Sequence, residues 1–374
     1  FAVVTLFSIS VFAESVFDYN GIYYKPTSST TVSVIANPDG TKYSGDITIP
    51  YTVKLGTIDF TDFTVTSIAD SAFYFCTELT SIDLPTSIVA IGKGSFYGCS
   101  LLKSIELPNI TNVPYDAFAN CNKLESVDIS NVTTIDEDAF YGCSSLKSIS
   151  DLSNVKEIPR YAFYRCDSLK SINIPNVITI GSRAFCDCAF DTIDLPKVET
   201  IGAKAFYSCG NLKSINMPKV RIIESAALYS CDFTSLNLPA TLDSIGGYAL
   251  SHNSGLKYIT IDEANENFAV KDNVLYDKDF TKLIQYPIGQ EAKSISVLNT
   301  VTTIANSAFA SCNFVERVDL PNVKIIEASA FDECFSLRSV NMPKVTTIGP
   351  TAFSDCLWVD SIDIPNVTIL EPLT

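Results

Sequence analysis

The chain has 374 residues, 47% apolar and 18% charged, which excludes a disordered polyampholyte. Its 42 Asp and Glu against 26 Lys and Arg give a formal net charge of −16, so nucleic-acid binding through a basic stripe is not expected. A single histidine, His252, removes His-built metal sites and most His-based acid–base machinery.

Residues 1–13, FAVVTLFSISVFA, form an apolar run with Val11 and Ala13 where a signal peptidase takes small or aliphatic side chains. They are read as the remnant of a signal peptide without its basic start; the alternative is a buried strand or short helix. No apolar run in the body reaches the ~18 residues of a spanning helix, so no membrane span is expected. Residues 14–60 hold β-rich runs (VFDYNGIYYKP, TTVSVIANPDGTKY, DITIPYTV) split by Asn-Gly, Pro-Asp-Gly and Ser-Gly turns. They predict a small N-terminal β cap.

From residue 61 to 374 the cysteines set the organisation. Cys76, Cys99, Cys121, Cys143, Cys166, Cys188, Cys209 and Cys231 follow at intervals of 21 to 23, and the series resumes at Cys312, Cys334 and Cys356. Three residues before each stands Phe73, Phe96, Phe118, Phe140, Phe163, Phe185, Phe206, Leu228, Phe309, Phe331 or Phe353. Leu250 keeps the apolar place, but Asn253 replaces its cysteine, which makes about 12 units. A period of 20–29 residues is that of a leucine-rich repeat. In the unit 163–185, Leu169, Ile172 and Ile174 predict a short strand with Ile172 and Ile174 inward and Ser171 and Asn173 outward. Pro175 ends it. Ala184 and Phe185 begin a tight 3₁₀-like turn that plugs the rung. The expected fold is a leucine-rich repeat solenoid of α/β type, strand-rich and right-handed, with short 3₁₀ or helical turns behind the β cap.

Residues 262–298 interrupt the series and predict a hairpin-like variant insertion, with strands at Val274–Tyr276 and Leu283–Tyr286 around the turn DKDF. The text stops within a repeat at NVTILEPLT, and the expectation is a truncated C-terminus.

The repeated text, seen as FYGCSLLKSIELPNITNVPYDAF and FSDCLWVDSIDIPNV, resembles the BspA-like leucine-rich repeat family. The insertion NENFAVKDNVLYDKDFTKLIQYPIG is similar to a variant unit of that family, and FDYNGIYYKP…GDITIP resembles the cap that precedes such arrays. The resemblance implies secreted or cell-surface proteins, several of them adhesins. It does not imply a ligand.

Phasing to the repeat makes the cysteines small buried hydrophobes rather than a disulfide framework. Cys186, at a place where other units carry Tyr, is expected to expose its thiol, and a redox pair with Cys188 stays open. Whole-rung spacing gives a row of sulfurs instead of a zinc tetrahedron, and DKDFTK lacks the Gly and distal Glu of a calcium loop. No metal or cofactor is expected.

Two surface columns are candidates. Between the inward aliphatics stand Asp83, Glu106, Asp128, Asn173, Asp194, Asn216, Asn237, Asp319, Asn341 and Asp363, with Ser150 near the same register and Thr260 in the same place. They form a polar, acidic ribbon on the expected concave face, read either as a partner-binding surface or as solvation of a sheet face. The second column, Tyr74, Tyr97, Tyr141, Tyr164 and Tyr207, follows the plugging Phe and suits partner contact, sugar stacking or rung-to-rung stacking. His252 reads as a solvated loop residue, and no hydrolase motif appears. The expectation is a non-enzymatic, secreted or cell-surface recognition or adhesion protein whose partner is a host or cell-surface protein or glycan. The alternatives are a carbohydrate-binding repeat protein and a passive surface stalk presenting a further C-terminal domain.

Overall fold

The computed structural model describes residues 16–54, 62–107, 109–359, 362 and 364–371. The leader at 1–13 and the column candidate Asp363 lie outside the described residues. The chain divides into two compact units: Phe1–Val177 with Ala184–Ala189, and Ile178–Arg183 with Phe190–Thr374. Each is a leucine-rich repeat solenoid of stacked rungs, built from short parallel strands and turns.

In the first unit, Phe17–Tyr19, Ile22–Pro26 and Thr31–Ile35 pair antiparallel in sequence. Strand Asp62–Ile68 then pairs parallel with Thr31–Ile35, antiparallel with Thr52–Lys54 and parallel with Ala90–Ile91, joining these N-terminal strands to the first rungs. A front ladder runs parallel through Gly45–Thr48 and Leu79–Asp83, and again through Ser104–Glu106, Ser126–Asp128 and Ser148–Ile149. The alternation places Ile82, Ile105 and Val127 inside and their polar neighbours outside.

The turns are not the 3₁₀ or helical segments expected. Among the described residues there is no helix of either kind. At Ser71–Cys76 alternate amides go different ways. The N–H groups of Ala72, Tyr74 and Cys76 donate back to Ala69, Ser71 and Phe73, while those of Ser71, Phe73 and Phe75 donate sideways to Lys93, Ser95 and Tyr97 of the next rung. A helix needs every amide to bond within its own segment. Ser71 (φ 56°) and Phe75 (φ 53°) are left-handed, and the pair recurs in later rungs as Asp116 and Asn120, then Tyr161 and Arg165. Each such non-Gly residue costs roughly 1–2 kcal/mol, offset by the inter-rung bonds it aims. At Gly98 (φ +70°) a Cβ would also stand 2.8 Å from Phe75 Cδ1, so only glycine fits there.

The sideways bonds set the rung spacing and bring like side chains together. Phe73, Phe96, Phe118, Phe140, Phe163 and Phe185 are fully buried. They stack with centroids 5.1–5.5 Å apart and ring planes within 10°. Tyr43 extends this stack at 5.2 Å from Phe73, its hydroxyl donating to Ile35 O and accepting from Tyr23 N–H. From the second rung on, the repeat cysteine donates its S–H to the carbonyl of the Phe one rung back: Cys99 to Phe73 (3.1 Å), Cys121 to Phe96 (3.1 Å), Cys143 to Phe118 (3.1 Å).

The unit 163–185 has no strand at Leu169–Ile174, where one is expected. One extra residue in the preceding rung is the cause. Ser150 Oγ caps the N–H of Ile129, and Leu152 N–H reaches Asn173 O, so the ladder slips by one. Asp151, not Ser150, then meets Asn173, whose Nδ2 lies 3.0 Å from Asp151 Oδ1.

The second unit repeats this plan. Front strands Thr192–Asp194 and Ser214–Asn216 pair in register, as do Ser235–Leu238 with Tyr258–Ile261, and Ser294–Ser296 with Arg317–Asp319 and Ser339–Asn341. Between Ile261 and Ser294 there are three strands rather than two. Phe268–Lys271 pairs antiparallel with Val274–Asp277, which pairs antiparallel with Lys282–Gln285. Asp277 closes the second turn by accepting the N–H groups of Thr281 and Lys282. Lys282–Gln285 then pairs parallel with Thr303–Ile304, and Tyr286 stacks 5.2 Å from Phe309, so the segment rejoins the rung pattern.

Buried amides replace thiols where this pattern changes. Asn253 Nδ2 donates to Leu228 O, the carbonyl a cysteine would cap, and to Leu250 O, both at 2.8 Å, while its Oδ1 accepts Cys231 N–H. Asn265 donates to Leu242 O at 2.9 Å and accepts from Phe268 N–H at 2.7 Å, fixing the start of the variant segment. Asn253→Ala is expected to lower unfolding free energy by about 3 kcal/mol, because it orphans buried backbone groups. Asn253→Cys should cost less than about 1 kcal/mol, since a thiol there can cap the same carbonyl. Urea unfolding of the two variants checks this.

Candidate functional site

The polar column lies on the front ladder, and its members bond to one another. In the second unit, Asn216 Nδ2 donates to Asp194 Oδ1 and Asn341 Nδ2 to Asp319 Oδ1, each at 2.6 Å. Thr260 Oγ1 donates to Asn237 Oδ1 at 3.0 Å, and Ser296 Oγ to Asp319 Oδ2 at 3.2 Å. A carboxylate beside an amide one strand away makes such a bond, whereas two carboxylates repel. Most of this column therefore satisfies itself.

The first unit breaks that rule. Asp83, Glu106 and Asp128 stand on neighbouring strands, all exposed, with Glu106 in register with Asp128. Asp83 and Glu106 have no side-chain hydrogen bond or ion pair among the described residues, and Asp128 accepts the N–H of Ser130 at 3.2 Å. Asp46, on the strand before, accepts the hydroxyls of Ser81 and Thr80 at 2.6 Å, and these hold its carboxyl below the usual range.

The tyrosine column is stacked rung on rung. Tyr74 lies 5.0 Å from Tyr97, Tyr141 5.0 Å from Tyr164, and Tyr207 4.6 Å from Tyr229, all near-parallel. Tyr229 follows Leu228 rather than Phe, so the Phe-Tyr pattern of the sequence does not mark it. Cys186 takes the same place but is buried, 3% exposed, with Sγ 3.6 Å from Asp187 Oδ2; the exposed thiol expected there is absent. The tyrosines at that place in other rungs are exposed or half-buried, so the small Cys186 side chain lies deeper than they do.

His252 is not a solvated loop residue. Its ring stacks 4.4 Å from Tyr229, Nδ1 lies 2.9 Å from Ser311 Oγ and Nε2 3.1 Å from Glu333 Oε2. The partners are 59 and 81 residues ahead, a distance along the chain that no local pattern reveals. Ser, His and Glu in contact invite comparison with a hydrolytic triad. However, Ser311 is only 8% exposed, and its Oγ also bonds Glu333 directly at 3.1 Å. The N–H groups of Ser311, Cys312 and Asn313 are already given to Asp332, Phe309 and Ser311 carbonyls, so none remains for an oxyanion. The trio ties together the turns of three rungs instead.

No group of His, Cys, Asp and Glu suited to a metal ion occurs among the described residues. A cleft of about 580 Å³ opens beside Tyr115 on the first unit.

With this geometry in place, the family can be read from its repeat. The profile of the BspA type leucine rich repeat region matches six copies over residues 66–191, 178–287 and 288–372. The chain belongs to the BspA-type leucine-rich repeat family. Three crystal structures share the fold. A leucine rich cell surface protein from Faecalibacterium prausnitzii is 26% identical, with 96% of this chain and 94% of that one covered, at a TM-score of 0.54. The pneumococcal vaccine antigen PcpA is 21% identical, with 96% and 78% covered, at 0.53. A leucine-rich repeat protein from Bacteroides ovatus is 22% identical, with 95% and 99% covered, at 0.52. No curated protein sequence matches the chain. No helix among the described residues is long and apolar enough to cross a membrane.

In this BspA-type array the buried thiols are chemically quiet. Cys76, Cys99, Cys121, Cys143, Cys166, Cys231, Cys312 and Cys334 are buried free thiols. Desolvation by burial pushes Cys76 up to about 11 and Cys231 to about 12. Cys356 is less buried, and the Cys334 thiol beside it draws its own thiol below the usual value. A disulfide-exchange reagent at pH 8 is therefore expected to label Cys356 first, with the other eight reacting only on unfolding; mass mapping of the label checks this. The pH dependence follows the same physics. A thiol whose folded pKa is raised binds protons more tightly folded than unfolded, so stability is full below about pH 8.5 and falls as pH rises above it. Denaturation midpoints measured from pH 7 to 10 should decline only at the alkaline end.

Proposed function

We propose that this BspA-type repeat protein is a non-enzymatic recognition or adhesion protein, secreted or held at a cell surface, that docks a basic protein partner on the front ladder of its first unit. The observation that carries the reading is the run Asp83, Glu106, Asp128. In the second unit each acid of the same column stands beside an amide or hydroxyl, and the column bonds to itself. Three carboxylates on successive strands lose that bonding and repel one another, a cost of a few tenths of a kcal/mol per pair or more. A partner presenting Lys or Arg side chains at strand spacing relieves the repulsion and finds rigid, pre-arranged acceptors. The likeness to a leucine rich cell surface protein supports the surface location.

The stacked tyrosines are a weaker candidate, because each ring already gives a face to its neighbour. A cluster of charged contacts over a rigid sheet also predicts binding that weakens with salt.

The test is a solid-phase screen of the folded chain against immobilised extracellular-matrix proteins and mucin. Saturable binding that falls with added salt is expected, and Asp83→Asn, Glu106→Gln and Asp128→Asn together should weaken it at least tenfold. Absence of saturable binding by a protein with an intact circular-dichroism spectrum, or an unweakened triple variant, would overturn the reading.

A further inference from the structure

Tyr115 departs from the repeat in a way that rung packing does not explain. Its equivalents in neighbouring rungs are Lys93, Glu137 and Arg160. The carbonyls of Lys93, Tyr115, Glu137 and Arg160 accept an N–H from the rung before, from Ser71, Gly94, Asp116 and Asp138 respectively. Only Tyr115 places a ring there. Tyr115 is 45% exposed. Among the described residues no other ring stacks on it and its hydroxyl has no hydrogen-bond partner, unlike the paired tyrosines of the turn column.

The ring borders the cleft of about 580 Å³, within the size range of small-molecule sites. Lys93, Lys156, Asp136, Glu137 and Glu157 line it, and none of them forms an ion pair among the described residues. Ile135 and Pro159 add apolar wall. An open aromatic face, uncommitted donors and acceptors, and apolar patches together match one ligand chemistry. The C–H face of a sugar ring lies on the phenol, while its hydroxyls donate to carboxylates and accept from ammonium groups.

We propose that this cleft binds a neutral saccharide, with Tyr115 as its stacking platform. Two lysines against three carboxylates leave no net positive charge to attract a sialylated or sulfated glycan. The site is separate from the acidic run of the front ladder and does not depend on it.

The test is an array of neutral and anionic oligosaccharides probed with the full chain, followed by calorimetric titration of the best neutral ligand. Tyr115→Ala is expected to weaken that ligand about tenfold or more, and Tyr115→Phe to stay within about threefold, because stacking rather than the hydroxyl supplies the contact. Glu137→Gln should weaken it less than Tyr115→Ala does. The ring is exposed, so all three variants should keep the parent circular-dichroism spectrum. The proposal fails if no neutral glycan binds the folded chain, if only anionic glycans bind, or if Tyr115→Ala binds as the parent does. It also fails if glycan binding is lost in the triple ladder variant and kept in Tyr115→Ala. Loss of matrix-protein binding alone in the triple variant, with glycan binding kept, supports both sites as separate.

Discussion

Everything in this molecule depends on the spacing imposed when alternate turn amides bond sideways to the next rung. That spacing holds Phe96 5.4 Å from Phe118 and Phe309 4.9 Å from Phe331, and it sets each residue beside its own counterpart. Like next to like suits some chemistry and not other. Aromatic rings stack, and a thiol reaches the carbonyl one rung back. Amides and hydroxyls bond carboxylates across the gap. Carboxylates beside carboxylates gain nothing. The repeat therefore sorts its own residues: what stacks or bonds along the column can be kept for the fold alone, and what cannot requires another cause.

Rung period and core identity were legible because they rest on side-chain type and interval. Phe and Cys at intervals near 22 can only fall in line when rungs stack, and the buried Phe column is where that interval places it. Backbone handedness was not legible. Ser71, Asp138 and Lys204 adopt φ near 55–60° although none is glycine, so nothing in residue type warned against a helical turn. The slip at Asp151 was hidden for a different reason. A single extra residue reads as tolerance within a loop, yet it removes the ladder at Ser171–Asn173 and changes which side chain meets Asn173.

The candidate surface was legible as a list and not as chemistry. The polar column could be named from alternation along each strand, but its division into bonded and unbonded stretches needed distances. Asp194 and Asp83 look alike in sequence. One is held by Asn216 at 2.6 Å and the other has no such neighbour. His252 shows the same gap at longer range, since Ser311 and Glu333 approach it only after the variant segment has folded between them.

Buried departures from the repeat and exposed ones have different meanings. Asn253 and Asn265 depart inside the core, where each satisfies backbone groups that the altered rungs leave open. Their cause is wholly internal, and the fold explains them. Asp83 and Glu106, which lack the bonded neighbours of their column, and Tyr115, which departs from its own, lie on the surface, where solvent would accept almost any polar residue and the rung makes no demand. An internal cause is missing for them, and a repulsive acidic run or an uncovered ring is a disadvantage to the isolated chain. A repeat array thus supplies its own control: the neighbouring rungs show what the position needs for folding. What exceeds that need is where contact with another molecule has the strongest physical case.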